Sequence, residues 1–197
     1  ENGKSIKEGE KGELVVKQPF PSMPVKFWDD DNGEKYHKAY FTRFKNIWHH
    51  GDFIEKTSNN GFIMRGRSDA TLNPGGVRIG TSEIYQQVED IDFITEGLVV
   101  GQDYKDDVRI ILFVTTKENK ELNDEKIKLI KKRIRKNCSP KHVPALIIKA
   151  PEIPRTKSGK IVELAVRKLI NNEELNNLEA IANPESLEFY KNIEELK

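Results

Sequence analysis

The chain has 197 residues, and 33 Lys and Arg against 32 Asp and Glu leave a formal charge of +1. Hydrophobic residues make up 36% and charged residues 33%; the apolar ones recur in periodic blocks, enough to bury the core of one domain or two small ones and too many for a disordered chain. The balanced charge argues against a general nucleic-acid binder, the longest apolar run (residues 110–114) falls far short of the ~18 residues of a membrane helix, and the lone Cys138 excludes an internal disulfide framework or a cysteine-based zinc site.

Glu1 rather than Met opens the chain, and no basic-then-apolar leader follows. The expectation is a cytoplasmic piece of something longer, in which the sequon Asn137-Cys138-Ser139 is accidental. The first third reads as β-structure. Residues 13–17 predict a strand that ends in the proline-rich loop 19–24, and residues 35–44 predict a short helix. Residues 47–55 form the next strand. Asn60-Gly61 supplies the positive-φ residues of a tight turn, and residues 61–65 return as the hairpin partner. Two units are expected to meet at Arg67-Ser68-Asp69, with one ending at residue 68 and the other running from 69 to 197.

Strands and helices alternate from there on. Thr81 reads as the cap of a helix that carries Glu83 and Ile84. Residues 98–101 and 109–115 predict neighbouring buried strands. Asn123-Asp124-Glu125 opens a helix whose Ile127, Ile130 and Ile134 share a stripe. Residues 146–148 give a third strand. After Gly159, the residues Ile161, Leu164, Ala165, Lys168 and Leu169 suggest an amphipathic helix, and Pro184-Glu185 restarts a short terminal one. The fold class is therefore α+β: a β-rich end followed by a small α/β domain with a central sheet and flanking helices.

Three constellations could carry chemistry. In Trp48-His49-His50-Gly51-Asp52 the two histidines point to opposite faces of a strand, and only His37 and His142 remain as further imidazoles, so no metal site is expected. Asp52 could instead accept hydrogen bonds from a sugar diol, against the plainer reading of a turn-stabilising Asp. Gly66-Arg67-Ser68-Asp69 is followed by Gly75-Gly76-Val77-Arg78-Ile79-Gly80 and Glu83. Glycines let the backbone approach a ligand, and an Arg in a glycine-bounded strand can grip phosphate with its planar fork. The alternative is a hairpin with surface arginines, and no dinucleotide fingerprint is present. Last, Pro154-Arg155-Thr156-Lys157-Ser158-Gly159-Lys160 puts Lys160 on a turn just before a helix, where an ammonium suits a phosphate or carboxylate oxygen. A solvated basic turn is equally consistent with that segment alone. It is not a Walker loop, because Pro154 and Ile161 stand where Gly and Ser/Thr are required.

Taken in order, Gly51-Asp52, Gly66-Arg67-x-Asp69, Gly76-x-Arg78 with Glu83, and Pro154 through Gly159-Lys160 resemble the C-terminal motifs of the adenylate-forming acyl-CoA synthetase superfamily over essentially the whole chain. Residues 14–28, Ala39-Tyr40-Phe41 and Asn183-Pro184-Glu185 are most similar to the branch that activates acetoacetate. The resemblance implies that Asp52 and Arg67 bind the nucleotide, that Asp69 is the hinge between a large and a small domain, and that Arg78 and Lys160 are catalytic. It further implies that Gly76 lines the pantetheine path and Arg135 touches coenzyme A, with Arg133 and Lys136 as basic alternatives.

Lys160 would serve adenylation and be open to acylation and deacylation enzymes. ATP, Mg²⁺ and coenzyme A are the implied cofactors, with Mg²⁺ and most of the ATP held upstream, so the fragment alone is expected to be inactive. His50 departs from a more usual Thr, which suits the acetoacetyl branch. Asn73 replaces a Lys of other branches and argues against a peptide-synthetase assignment. The competing readings are an acetyl- or propionyl-CoA synthetase fragment, or a non-catalytic nucleotide-, CoA- or protein-binding module.

Overall fold

A computed structural model describes residues 4–118, 120–175 and 178–197. The chain divides into two compact units, Glu1–Asp69 and Ala70–Lys197.

The first unit is built on an antiparallel sheet of order β1-β2-β3, with β1 at Lys11–Val16, β2 at Trp48–Lys56 and β3 at Phe62–Arg67. Helix α1 (Glu34–Tyr40) is shorter than residues 35–44 suggested. Its first turn is held by the buried carboxylate of Asp30, which accepts from the amides of Lys35 at 2.9 Å and Tyr36 at 2.8 Å. Tyr40 on α1 stacks on Trp48 at 3.6 Å, and Phe20, Tyr36 and Phe41 surround the same indole, so the aromatics of the Pro- and Gly-rich segment are its core.

The β2–β3 turn departs from expectation. Only Asn60 has positive φ; Gly61 instead donates its amide to Thr57 Oγ1 at 3.0 Å, and Thr57 N–H donates to the Gly61 carbonyl at 2.9 Å. The loop is longer than a two-residue turn because Thr57 closes it. Further along the hairpin, Arg65 is an extra residue on β3, a bulge that sets Arg67 directly opposite Asp52.

The second unit is a three-layer sandwich around a sheet of order β4-β5-β6. Strands β4 (Ile94–Tyr104) and β5 (Asp107–Thr116) are antiparallel, and β6 (Leu146–Lys149) joins β5 in parallel after a crossover through α3 (Asp124–Asn137). The near-continuous apolar run of β5 follows from burial on both faces. Ile110, Leu112 and Val114 pack with α2 (Thr81–Val88) and α3, whereas Ile111 and Phe113 pack with α4 (Glu163–Ile170) and the C-terminal segment through Tyr190 and Leu196.

Asn123 caps α3 by accepting from Lys126 N–H at 3.1 Å, and Ile130 and Ile134 of the stripe are buried while Ile127 is partly covered. Two expectations fail locally. Gly80, not Thr81, is the N-cap of α2; Thr81 is buried in the first turn, and Glu83 closes the end by accepting from Gly80 N–H at 3.1 Å. On α4 the buried residues are Ala165, Val166 and Ile170, while Leu164 is exposed and Ile161 lies outside the helix in a bridge to Arg155. That bridge shifts the helix start and rotates the stripe. The segment Pro184–Lys191 is a 3-10 helix.

Candidate functional site

In the first unit, a cleft of about 510 Å³ is lined by Tyr40, Trp48, His50, Gly51, Arg67 and Asp69, among others. Asp52 lies just behind it. Its carboxylate meets the His50 ring (Nδ1 to Oδ2, 2.6 Å) and Arg67 Nη1 (3.6 Å to Oδ1), and only 15% of the side chain is exposed.

Arg67 also donates to both oxygens of Asp69, from Nε at 3.4 Å and Nη2 at 3.3 Å. Burial works against its charge, yet Asp69, Asp52 and Glu13 together hold the guanidinium above its ordinary range. The fork therefore remains a fixed cation at the cleft mouth. The structure thus brings together three residues singled out from sequence: Asp52, Arg67 and Asp69. It adds Glu13, which sequence reasoning passed over as one more strand residue. Glu13 pairs with Arg43 at 3.0 Å, His49 at 3.2 Å and the Ser68 hydroxyl, fixing the strand end next to the hinge position. A single acid at the head of the Leu14-Val15-Val16 run was the available signal.

In the second unit the remaining candidates stand on separate elements. Gly76 ends a turn (Pro74–Gly76) and lines a cleft of about 680 Å³ with Asn73 and the β4–β5 tip. That turn is tethered: Asp107 accepts from Gly75 N–H through both oxygens, at 2.8 and 3.0 Å, and the Lys141 ammonium lies against Gly75. The amides of Gly75 and Val108, aided by Lys141, hold the Asp107 carboxyl below the usual carboxylate range. Asp107 and Lys141, far from Gly75 in sequence, carried no local signal.

Arg78 sits on the exposed loop just before Ile79, which pairs with Leu72 in a one-residue bridge, so it is not the strand arginine expected. Behind it, Glu83 receives His142 Nε2 at 3.4 Å, and the other His142 nitrogen meets Ser139 Oγ at 2.8 Å. Arg135 is exposed in the last turn of α3, while Arg133 is drawn to Asp90 at 3.7 Å.

Lys160 closes the turn that leads into α4. Its backbone pairs with Thr156: Thr156 N–H donates to the Lys160 carbonyl at 2.8 Å, and Lys160 N–H donates to Thr156 Oγ1 at 3.0 Å. Gly159 takes φ +83 with open space around it, the left-handed conformation the turn requires. The residue is exposed, and among the described residues its ammonium makes no hydrogen bond or ion pair. A fixed backbone bearing an uncommitted cation can reach an anionic group on a ligand.

No family model matches the chain. The acetoacetyl-coenzyme A synthetase of Rhizobium meliloti (strain 1021) is 57% identical over 197 residues, covering 100% of this chain and 30% of the relative. The structure of acetoacetyl-CoA synthetase from Streptomyces lividans superposes with a TM-score of 0.88 at 41% identity, over 95% of this chain and 28% of that one. The chain is homologous to a C-terminal portion of the acetoacetyl-CoA synthetases. It spans less than a third of the length of these relatives. A benzoate CoA ligase from Burkholderia xenovorans LB400 also superposes, with a TM-score of 0.70 at 25% identity over 85% of this chain and 32% of that one. The fold is therefore shared between acetoacetyl-CoA synthetases and a ligase whose named acid is aromatic, so the fold alone does not name the acid.

Proposed function

We propose that the chain is the C-terminal part of an AMP-forming acetoacetate–CoA ligase, with residues 69–197 as a mobile small domain and 1–68 as the end of a larger one. The supporting observation is the 57% identity to an acetoacetyl-CoA synthetase across the whole chain. The geometry of Lys160 and of the Asp52–Arg67–Asp69 group fits that chemistry. Acetoacetate, ATP and coenzyme A are the proposed substrates. The Mg²⁺ is proposed to be held mainly by the upstream part of the protein; among the described residues no group of three or more His, Cys, Asp or Glu is placed to hold a metal. No helix among the described residues is long and apolar enough to cross a membrane, and the cytoplasm is the proposed location.

In the proposed first step an acetoacetate oxygen attacks the α-phosphorus of ATP, and pyrophosphate leaves with the electron pair of the broken P–O bond. Lys160 brings its ammonium to the carboxylate and phosphate oxygens, where charge builds up. Asp52 and Arg67 hold the ribose and its phosphate; His50 and Arg67 keep the Asp52 carboxylate oriented. In the second step the thiol of coenzyme A attacks the acyl carbon, AMP leaves, and the thiol proton passes to solvent. Rotation at Asp69 withdraws Lys160 and presents the Gly76 turn, Arg78 and Arg135 to coenzyme A. Lys160, exposed and without a side-chain partner among the described residues, is also open to acylating and deacylating enzymes, which would cancel or restore the same charge.

The test separates the half-reactions in the full-length protein. Acetoacetate-dependent exchange of pyrophosphate into ATP is expected. Lys160→Ala should slow that exchange about a hundred- to a thousandfold, while thioester formation from preformed acetoacetyl-adenylate stays near wild type. Lys157→Ala should change neither. Absence of acetoacetate-dependent exchange in the wild-type protein would overturn the reading.

A further inference from the structure

The turn that carries Lys160 is held by a side chain rather than by its own backbone alone. Arg155 Nη1 donates to the Gly159 carbonyl at 2.5 Å, one residue before Lys160, and Nη2 donates to Glu96 Oε1 on β4, also at 2.5 Å. The main chain of Arg155 is anchored as well: its amide donates to Asn183 Oδ1 at 2.8 Å, and its carbonyl accepts from Ala182 N–H at 2.8 Å. Glu96 in turn sits beside a bulge, with Thr95 as the extra residue between the pairs Ile94↔Thr116 and Glu96↔Thr115. Such bulges re-aim a side chain out of the regular alternation. The guanidinium fork thus spans from the sheet to the one carbonyl whose position fixes the residue before Lys160.

From this geometry we infer that Arg155 and Glu96 form a brace that positions Lys160 for adenylation. The physical need is plain. The hydrogen bonds inside the turn tie Gly159 and Lys160 only to Thr156, so they fix the shape of the turn, whereas the Arg155 fork ties the Gly159 carbonyl to Glu96 on the sheet. A lysine side chain already carries several free torsions, and a loose attachment point would add backbone freedom to the entropy lost when the ammonium meets the reacting oxygens. A planar fork with two donors suits the task, since one arm takes a carbonyl and the other a carboxylate. The ammonium of a Lys lacks the rigid, planar spacing of these two donors. Glu96 supplies the fixed end and, as a carboxylate, strengthens the contact.

The inference rests on the ligase reading, and two readouts keep them apart. The first is hydrogen exchange in the 197-residue chain at the amides of Thr156, Gly159 and Lys160, all of which donate within the turn. Arg155→Ala should speed their exchange about ten- to a hundredfold, the worth of one charge-assisted hydrogen bond. Glu96→Ala should act in the same direction, and Glu96→Gln, which keeps an acceptor, should act less. The second readout is kinetic, in the full-length protein. Arg155→Ala should lower kcat of pyrophosphate exchange about tenfold or more with KM for ATP and acetoacetate unchanged. Thioester formation from the preformed adenylate should hold. Arg155→Lys should recover part of the loss, and the Arg155→Ala/Glu96→Ala double variant should be no worse than Arg155→Ala alone, since both changes break one brace.

Unchanged exchange at the three amides in Arg155→Ala would overturn the brace. So would an equal fall of both half-reactions with a lowered thermal midpoint, which marks a structural role only. Accelerated exchange in a protein whose wild type shows no acetoacetate-dependent activity would support the brace and overturn the ligase reading instead.

Discussion

Gly51→Ala offers a quantitative test of the first unit, because its cost can be assembled from two separate contributions. Gly51 has φ +86, and an added Cβ would lie 2.9 Å from Arg67 Nη2 and 3.2 Å from Nη1. A residue with a Cβ in left-handed backbone costs about 1–2 kcal/mol. The contact itself is relieved by swinging the half-exposed Arg67 guanidinium away from Gly51. That movement gives up pairs to Asp69 and Asp52 at 3.3 and 3.6 Å, which at these lengths and with the guanidinium half-exposed contribute at most ~1 kcal/mol together.

The sum is about 1–3 kcal/mol, or a fall in midpoint of roughly 5–20 °C for a unit of this size. Both tryptophans, Trp28 and Trp48, lie in this unit and Trp48 is buried, so tryptophan fluorescence follows its unfolding and not that of the second unit. In an Arg67→Ala background the same substitution should cost only the backbone part. If Gly51→Ala left the fluorescence transition within ~0.5 kcal/mol of wild type, both the left-handed backbone and the close approach of Arg67 would be wrong.

Two further expectations concern pH. Burial first, and then the Glu163 carboxylate that accepts the phenol at 2.5 Å, push the Tyr85 ionisation well up; burial does the same for Tyr190, whose hydroxyl donates to the Glu152 carbonyl at 2.7 Å. A raised folded-state value means full stabilisation below the ordinary tyrosine value near ~10 and progressive loss as pH rises past it. Phenolate absorbance from Tyr85 and Tyr190 should therefore appear only as the second unit unfolds; ionisation in the folded protein would refute the burial. Asp107 has the opposite sign: its lowered value means the Gly75 tether is fully present above the ordinary Asp value near ~3.9 and is lost as pH falls through the lower, folded one. The Gly75 amide resonance should shift over that acid range in the wild type and stay flat in Asp107→Asn.

The sequence by itself determined what depends on neighbours along the chain. Alternation and β-branched runs located the strands, the three- and four-residue spacing of Ile127, Ile130 and Ile134 located α3, and Asn123 marked its start. The ordered motifs around Asp52, Arg67, Gly76 and Lys160 carried the resemblance, because their spacing is itself a local property. Tertiary structure decided whatever depends on residues distant in sequence.

The Arg65 bulge, not the spacing from 52 to 67, sets Asp52 opposite Arg67. Thr57 overrode the tight turn promised by Asn60-Gly61, since its hydroxyl offers the Gly61 amide a partner. The buried stripe of α4 was set by the Arg155–Ile161 bridge and by packing against β4 and the C-terminal segment, which periodicity within one helix does not record. Arg155 and Glu96 are 59 residues apart, as are Glu83 and His142. A charged residue in a sequence one-third charged announces nothing until the fold supplies its partner, because the energy that fixes it comes from a contact across the chain rather than along it.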